Sequence, residues 1–184
     1  MTTAVRGTLL AAAPLLSLVP LMADAYARTG SDAPTTDATC VFNGRGTFAD
    51  AVEPGGVSVP VADTLVVTGT VTCVDQGGAP VASGKFARTV TVPAARCTGD
   101  EHGDTSSTTV YWSDTAISTF ELDRTEVVKV NGTASLDVSG HVAANSARFA
   151  DDTVRGLGTS TGAGCGTSAG ERAVDSTLVL RFGR

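Results

Sequence analysis

Two histidines, His102 and His141, are the whole imidazole stock of this 184-residue chain, so acid–base chemistry near neutral pH has few candidates. His102 lies in Thr98-Gly99-Asp100-Glu101-His102-Gly103-Asp104, just after Cys97. There Asp100, Glu101 and Asp104 could offer hard oxygens to Ca²⁺. The spacing lacks the alternate-residue ligand pattern of a dedicated calcium loop, and the plainer reading is a solvated acidic turn. His141 shares the polar phase of its segment with Asp137 and Ser139, which makes it a surface residue.

Gly158-Thr159-Ser160-Thr161-Gly162 matches G-x-S-x-G, the pattern that lifts a serine hydroxyl on a strand-to-helix turn. The next residues, Ala163-Gly164-Cys165-Gly166-Thr167, read as a Gly-rich loop where that geometry requires a helix. A small secreted hydrolase using Ser160, with His141 as base, is therefore a second alternative to a binding role. The first alternative is a protease inhibitor. Pro93-Ala94-Ala95-Arg96-Cys97 could present Arg96 on a disulfide-anchored loop, preorganised for a trypsin-like pocket. Its competing reading is a strand end with a solvent-facing Arg. Asp151 and Asp152 are adjacent and would point to opposite faces of extended backbone, so they make no acid/base pair. Trp112 shares its phase with Val110 and reads as core, which leaves Tyr111 alone as a thin platform for stacking a sugar ring. No catalytic set, cofactor motif or metal site stands out beyond the Asp100, Glu101 and Asp104 candidate.

The elements that must position these residues are short strands. From Thr64 to Val74, Leu65, Val67, Val71 and Cys73 alternate with Thr68, Thr70 and Thr72, giving one apolar face and one face of β-branched hydroxyls. Val174, Leu178, Leu180 and Phe182 repeat the pattern against Asp175, Thr177 and Arg181. Phe86, Val90 and Val92 share a face, and so do Val110 and Trp112. Phe120, Leu122, Val128 and Val130 are read in one phase, with Asn131-Gly132 next as a type I′ hairpin signal. Ala134, Leu136, Val138 and Val142 then alternate with Ser135, Asp137 and Ser139. Between Val142 and Ala150 there is room for one helical turn at most. The expectation is an all-β fold: an antiparallel β-sandwich or flattened barrel of about eight or nine strands.

All four cysteines, Cys40, Cys73, Cys97 and Cys165, lie outside the amino-terminal segment. Without a Cys-x-x-Cys pair they read as two disulfides rather than a zinc site. Three pairings are open. A fold-back about Pro54-Gly55-Gly56 would set Cys40 opposite Cys73, which favours Cys40–Cys73 with Cys97–Cys165.

The amino terminus reads as an export signal over residues 1–27. Arg6 precedes an apolar run from Leu9 to Ala23, broken by Pro14 and Pro20, and Ala25-Tyr26-Ala27 supplies the small-x-small cleavage pattern. Residues 28–39 are polar and read as a flexible segment, and residues 40–184 as one domain. Loss of Arg6 and Asp24 with the signal leaves the net charge at -6. That acidic balance disfavours nucleic acid and anionic membrane as partners. The expected partner is an extracellular protein or cell-wall component, and the expected location is the extracellular space. Abundant Ala, Gly, Thr, Val and Asp, Arg in preference to Lys, and a single Ile (Ile117) fit a GC-rich bacterial genome.

Several short motifs together carry a resemblance. They are the early Cys40, Thr68-Gly69-Thr70-Val71-Thr72-Cys73, Val110-Tyr111-Trp112, Phe149-Ala150-Asp151-Asp152-Thr153-Val154, Cys165 and Thr177-Leu178-Val179-Leu180. In their layout residues 40–184 resemble small secreted actinobacterial proteins with no assigned activity. That family often carries Gly where this chain has Asp151. The resemblance implies a β-sandwich and no particular chemistry.

Overall fold

The computed structural model describes residues 36–52, 61–103 and 105–184. The expected export signal (residues 1–27), the expected fold-back at Pro54-Gly55-Gly56 and Asp104 lie outside the described residues. The described strands are β1 (Thr36–Val52), β2 (Val61–Val74), β3 (Pro80–Ala95), β4 (Gly99–Gly103), β5 (Ser106–Trp112), β6 (Ile117–Val130), β7 (Thr133–Val142), β8 (Thr153–Thr161) and β9 (Glu171–Gly183). Strand β1 begins four residues before Cys40. The end of the expected flexible segment, Thr36–Thr39, is therefore ladder, and Ala38 within it is buried.

Every ladder is antiparallel. Successive strands pair except where β3 passes over β4 to pair with β5 and β4 pairs with β6, and β9 returns to pair with β1 from Thr36↔Gly183 to Val52↔Glu171. The alternation in the sequence is compatible with two stacked sheets or one closed sheet. The β1–β9 ladder makes it a closed up-and-down barrel of eight strands. Strand β4 is the ninth. It lies in line with β5 along the same edge of β6, with Gly103↔Thr125 succeeding Ser106↔Leu122.

Closure requires strands to approach closely, and two glycines on the inner phase show why. A Cβ on Gly69 would collide with the Asn43 carbonyl oxygen, and one on Gly140 with the Glu121 carbonyl oxygen. At the β6–β7 hairpin, Asn131 and Gly132 have φ of 49° and 78°, the left-handed pair that a type I′ turn demands.

Strand β6 departs from the expected single phase. Its register against β7 runs Leu122↔Gly140, then Arg124↔Ser139, so a bulge inserts one extra residue. Past the bulge the faces exchange. Thr125, Val127 and Lys129 join Phe120 and Leu122 on the inner face, while Val128 and Val130 point outward at 53% and 61% exposure.

The interior is packed at both ends. One end holds Cys40, Phe42, Val71, Cys73, Phe86, Val110, Trp112, Phe120, Val142, Val154, Leu180 and Phe182. Phe120 meets Phe42, Trp112 and Phe182 at ring-centroid distances of 5.0–6.3 Å. Trp112 is 3% exposed, and its Nε1–H donates to Ser118 Oγ at 2.9 Å. The other end is capped by Phe48, Val52 and Cys97, with Leu65, Val92, Cys165 and Val174 against them. Each end carries one disulfide: Cys40–Cys73, a directly opposed pair on β1 and β2, and Cys97–Cys165.

Candidate binding cavity

Between the two packed ends the barrel encloses a cavity of about 550 Å³, within the range of small-molecule sites. Its wall is apolar over most of the circumference: Phe42 and Phe48 from β1, Leu65 and Val67 from β2, Phe86 and Val90 from β3, Phe120 and Leu122 from β6, Leu136 and Val138 from β7, Leu178 and Leu180 from β9. The same alternation that builds the barrel places these side chains inside.

The cavity opens through the side of the barrel. Strand β3 pairs with β5 only from Gly84↔Trp112 to Arg88↔Thr108, and β4 pairs with β6 alone. Beyond Arg88, therefore, no described ladder joins β3 to the next part of the wall. Exposed residues on both sides of this seam, Thr89, Thr91 and Pro93 on one and His102, Thr105 and Ser107 on the other, also line the cavity. Pro93, which lacks an N–H, sits on that open edge and blunts it against pairing with another chain.

One sector of the wall is polar. Arg88 extends from β3 in phase with Phe86 and Val90, Ser106 comes from β5, and Thr125 from β6 just beyond the bulge. Arg88 Nε, Ser106 Oγ and Thr125 Oγ1 are all shut off from solvent and have no hydrogen-bond partner. Burial pushes the Arg88 guanidinium down to about 10, with no acidic neighbour acting against it. It remains charged at neutral pH.

The other inward charges have partners. Lys129 Nζ donates to Glu101 Oε1 at 2.8 Å, with the two side chains 14% and 9% exposed. Glu171 Oε2 accepts from the Gly164 amide at 2.7 Å, and its Oε1 from the Ala173 amide at 3.2 Å. Asp63 Oδ1 accepts from the Thr64 amide at 2.6 Å and the Asp50 amide at 3.3 Å. Asp152, held above the usual carboxylate range chiefly by burial, accepts from Arg184 Nε at 3.3 Å.

The residues singled out by sequence fall in different places. Gly99–Gly103 forms strand β4 rather than an acidic loop, so Asp100 points outward while Glu101 points inward to Lys129. The calcium candidate is therefore not assembled from these two. Among the described residues no group of three His, Cys, Asp or Glu converges as a metal site. Ser160 is on the cavity side of β8, whereas His141 is on the outer face of β7, so the wall separates the proposed nucleophile from its base. His141 lies 3.2 Å from Asp123 Oδ2 through Nδ1 and 3.0 Å from Glu121 Oε2 through Nε2. The bond to Asp123 and the two carboxylate charges hold its pKa above the ordinary imidazole value. Arg96 is half-buried at the rim, its stem close to Gly99, and lines the cavity.

No protein-family model, curated protein or solved structure matches this chain. The cavity must therefore be interpreted from its own chemistry.

The groups that sequence reasoning missed are Arg88, Ser106, Thr125 and Lys129. Arg88 had a signal, because position 88 falls between Phe86 and Val90 in a period-two run and must share their face. Thr125 and Lys129 had none, since the bulge that turns them inward leaves no mark in the hydrophobic pattern.

Proposed function

We propose that this chain is an exported, non-catalytic binding protein that carries a small, largely apolar molecule inside its barrel. The observation that supports this reading is the side-opening cavity of about 550 Å³, walled by Phe, Leu and Val from β1, β2, β3, β6, β7 and β9. An eight-stranded barrel has just enough interior either to be filled by side chains or to hold one small ligand. Here both ends are filled and the middle is not.

Export is supported by the two disulfides, which belong to an oxidising compartment. Among the described residues no helix is long and apolar enough to cross a membrane. The likeness to small secreted actinobacterial proteins belongs to the same proposal. The ligand then takes the place of the cell-wall component or extracellular protein expected from sequence.

The test is titration with N-phenyl-1-naphthylamine, a neutral dye that brightens in apolar surroundings. The expected result is saturable brightening with one site per chain. It should be abolished by Leu136→Trp, which fills the cavity, and retained in Val130→Trp, which adds an indole outside. Dye binding that is absent, or equally strong in Leu136→Trp, overturns the reading.

A further inference from the structure

Four buried side-chain polar atoms among the described residues lack a hydrogen-bond partner, and three of them belong to residues that line the cavity: Arg88 Nε, Ser106 Oγ and Thr125 Oγ1. Buried polar atoms in folded proteins are almost always bonded, so three orphans on one wall require an explanation. Their placement is not scattered. Arg88 pairs directly across from Thr108, and Ser106 is the next inward position along β5 from Thr108. Ser106 in turn pairs with Leu122, and Thr125 is the next inward position along β6 after the bulge. The three therefore occupy neighbouring strands at one level of the barrel, beside the seam where the wall opens.

We infer that this sector is a head-group site for a monoanion, and that the ligand is an amphiphilic carboxylate whose apolar tail lies in the barrel. The guanidinium donates to the carboxylate, and the Ser106 and Thr125 hydroxyls donate to its remaining lone pairs. This rests on the carrier reading and specifies its ligand class. The charge balance selects a single negative charge. Lys129 is already matched by Glu101, which leaves the Arg88 guanidinium as the cation of this polar sector. A phosphate dianion would leave an excess negative charge in an apolar wall. A neutral ligand would leave Arg88 uncompensated. The position beside the seam also suits an amphiphile, because the tail can enter first and the head can lodge at the opening.

The experiment measures displacement of N-phenyl-1-naphthylamine by dodecanoate, its methyl ester and dodecanol at neutral pH, using the exported form of the wild type, Arg88→Met and Arg88→Gln. Dodecanoate is expected to bind the wild type about tenfold or more tightly than the ester or the alcohol, the effect of a hydrogen-bonded charge pair. In Arg88→Met that preference should vanish, with ester binding retained. Without ligand, Arg88→Met should melt at a higher temperature than the wild type, because an unpaired buried charge has been removed. Equal wild-type binding of acid and ester while the dye still binds overturns the head-group assignment and leaves the carrier reading standing. Failure of the dye and all three ligands overturns both. Should Arg88→Met misfold, Arg88→Gln and the wild-type comparison decide the question.

Discussion

Lys129 and Glu101 meet at 2.8 Å across β6 and β4, with both side chains largely withdrawn from solvent. Neither residue would face inward without a local departure from the regular sheet. Lys129 turns inward because of the bulge after Leu122, and Glu101 because β4 continues the line of β5 along β6. The pair fixes a neutral patch near the cavity rim, and it ties the short β4 to the barrel at a point where β3 offers it no ladder.

Breaking that pair from one side should be costly. Glu101→Gln leaves a mostly buried ammonium without its counter-charge, and about 2 kcal/mol of stability should be lost, less than a fully enclosed pair would lose. The double variant Glu101→Gln/Lys129→Met should recover most of the loss. Urea unfolding of the two variants checks this, and equal stability of single variant and wild type would show that Lys129 simply relaxes into solvent.

Ser118 is the hub of a second network. Its hydroxyl accepts from Trp112 Nε1 at 2.9 Å and from the Arg148 amide at 3.1 Å, and it lies 3.1 Å from the Arg148 carbonyl. Ser118→Ala therefore orphans a buried indole N–H and unties the 143–150 loop. About 2 kcal/mol should be lost in chemical denaturation. The hydrogen exchange of the Trp112 indole should quicken along with it, while Ser135→Ala on the outer face should change neither.

The parts of the fold that were legible from sequence are those where period two runs unbroken. Leu65 to Cys73 and Val174 to Phe182 give their inner faces directly, Trp112 accompanies Val110 into the core, and Asn131-Gly132 makes its hairpin. The site was less legible for two different reasons. Arg88 obeys the alternation, but its charge argues against burial, so residue type masked what phase implied. At Val128 and Val130 the pattern itself misleads, because a one-residue bulge reverses the faces without any change in composition. Local reasoning left sandwich and barrel open together, since the choice depends on pairing between β1 and β9 at opposite ends of the domain.

His141 gives a pH dependence with a definite sign. Its folded-state pKa lies above the ordinary 6.5, first through the bond to Asp123 and then through the charges of Asp123 and Glu121. A raised imidazole pKa stabilises the folded form while the ring is protonated. That contribution is complete below about 6.5 and fades as pH rises through the folded value. Nuclear magnetic resonance titration of the ring should give a midpoint above that of a free imidazole, and Asp123→Asn should lower it. A wild-type midpoint unchanged by Asp123→Asn would refute the attribution.

The two disulfides should differ in what they protect. Cys97–Cys165 closes the longer loop, 68 residues against 33 for Cys40–Cys73. Loop entropy gives each roughly 4 kcal/mol, with little to separate them. Their surroundings separate them instead. Cys40 and Cys73 are embedded in the aromatic core, on strands already joined by ten paired positions. Cys97 and Cys165 belong to connecting segments, and they hold the cap of Phe48 and Val52 over one end of the cavity. The Cys97 carbonyl also accepts the Gly132 amide at 3.0 Å, and the Gly132 carbonyl accepts the Gly162 amide at 2.9 Å, so the bridge anchors three connections together. Cys97→Ala/Cys165→Ala should therefore speed amide exchange at Gly132 and Gly162 and hasten dye release from the cavity. Cys40→Ala/Cys73→Ala should lower the global unfolding free energy with little local effect at that end. Stopped-flow dye release on the two double variants distinguishes these outcomes, and identical release rates would mean that the cap holds through its apolar contacts alone.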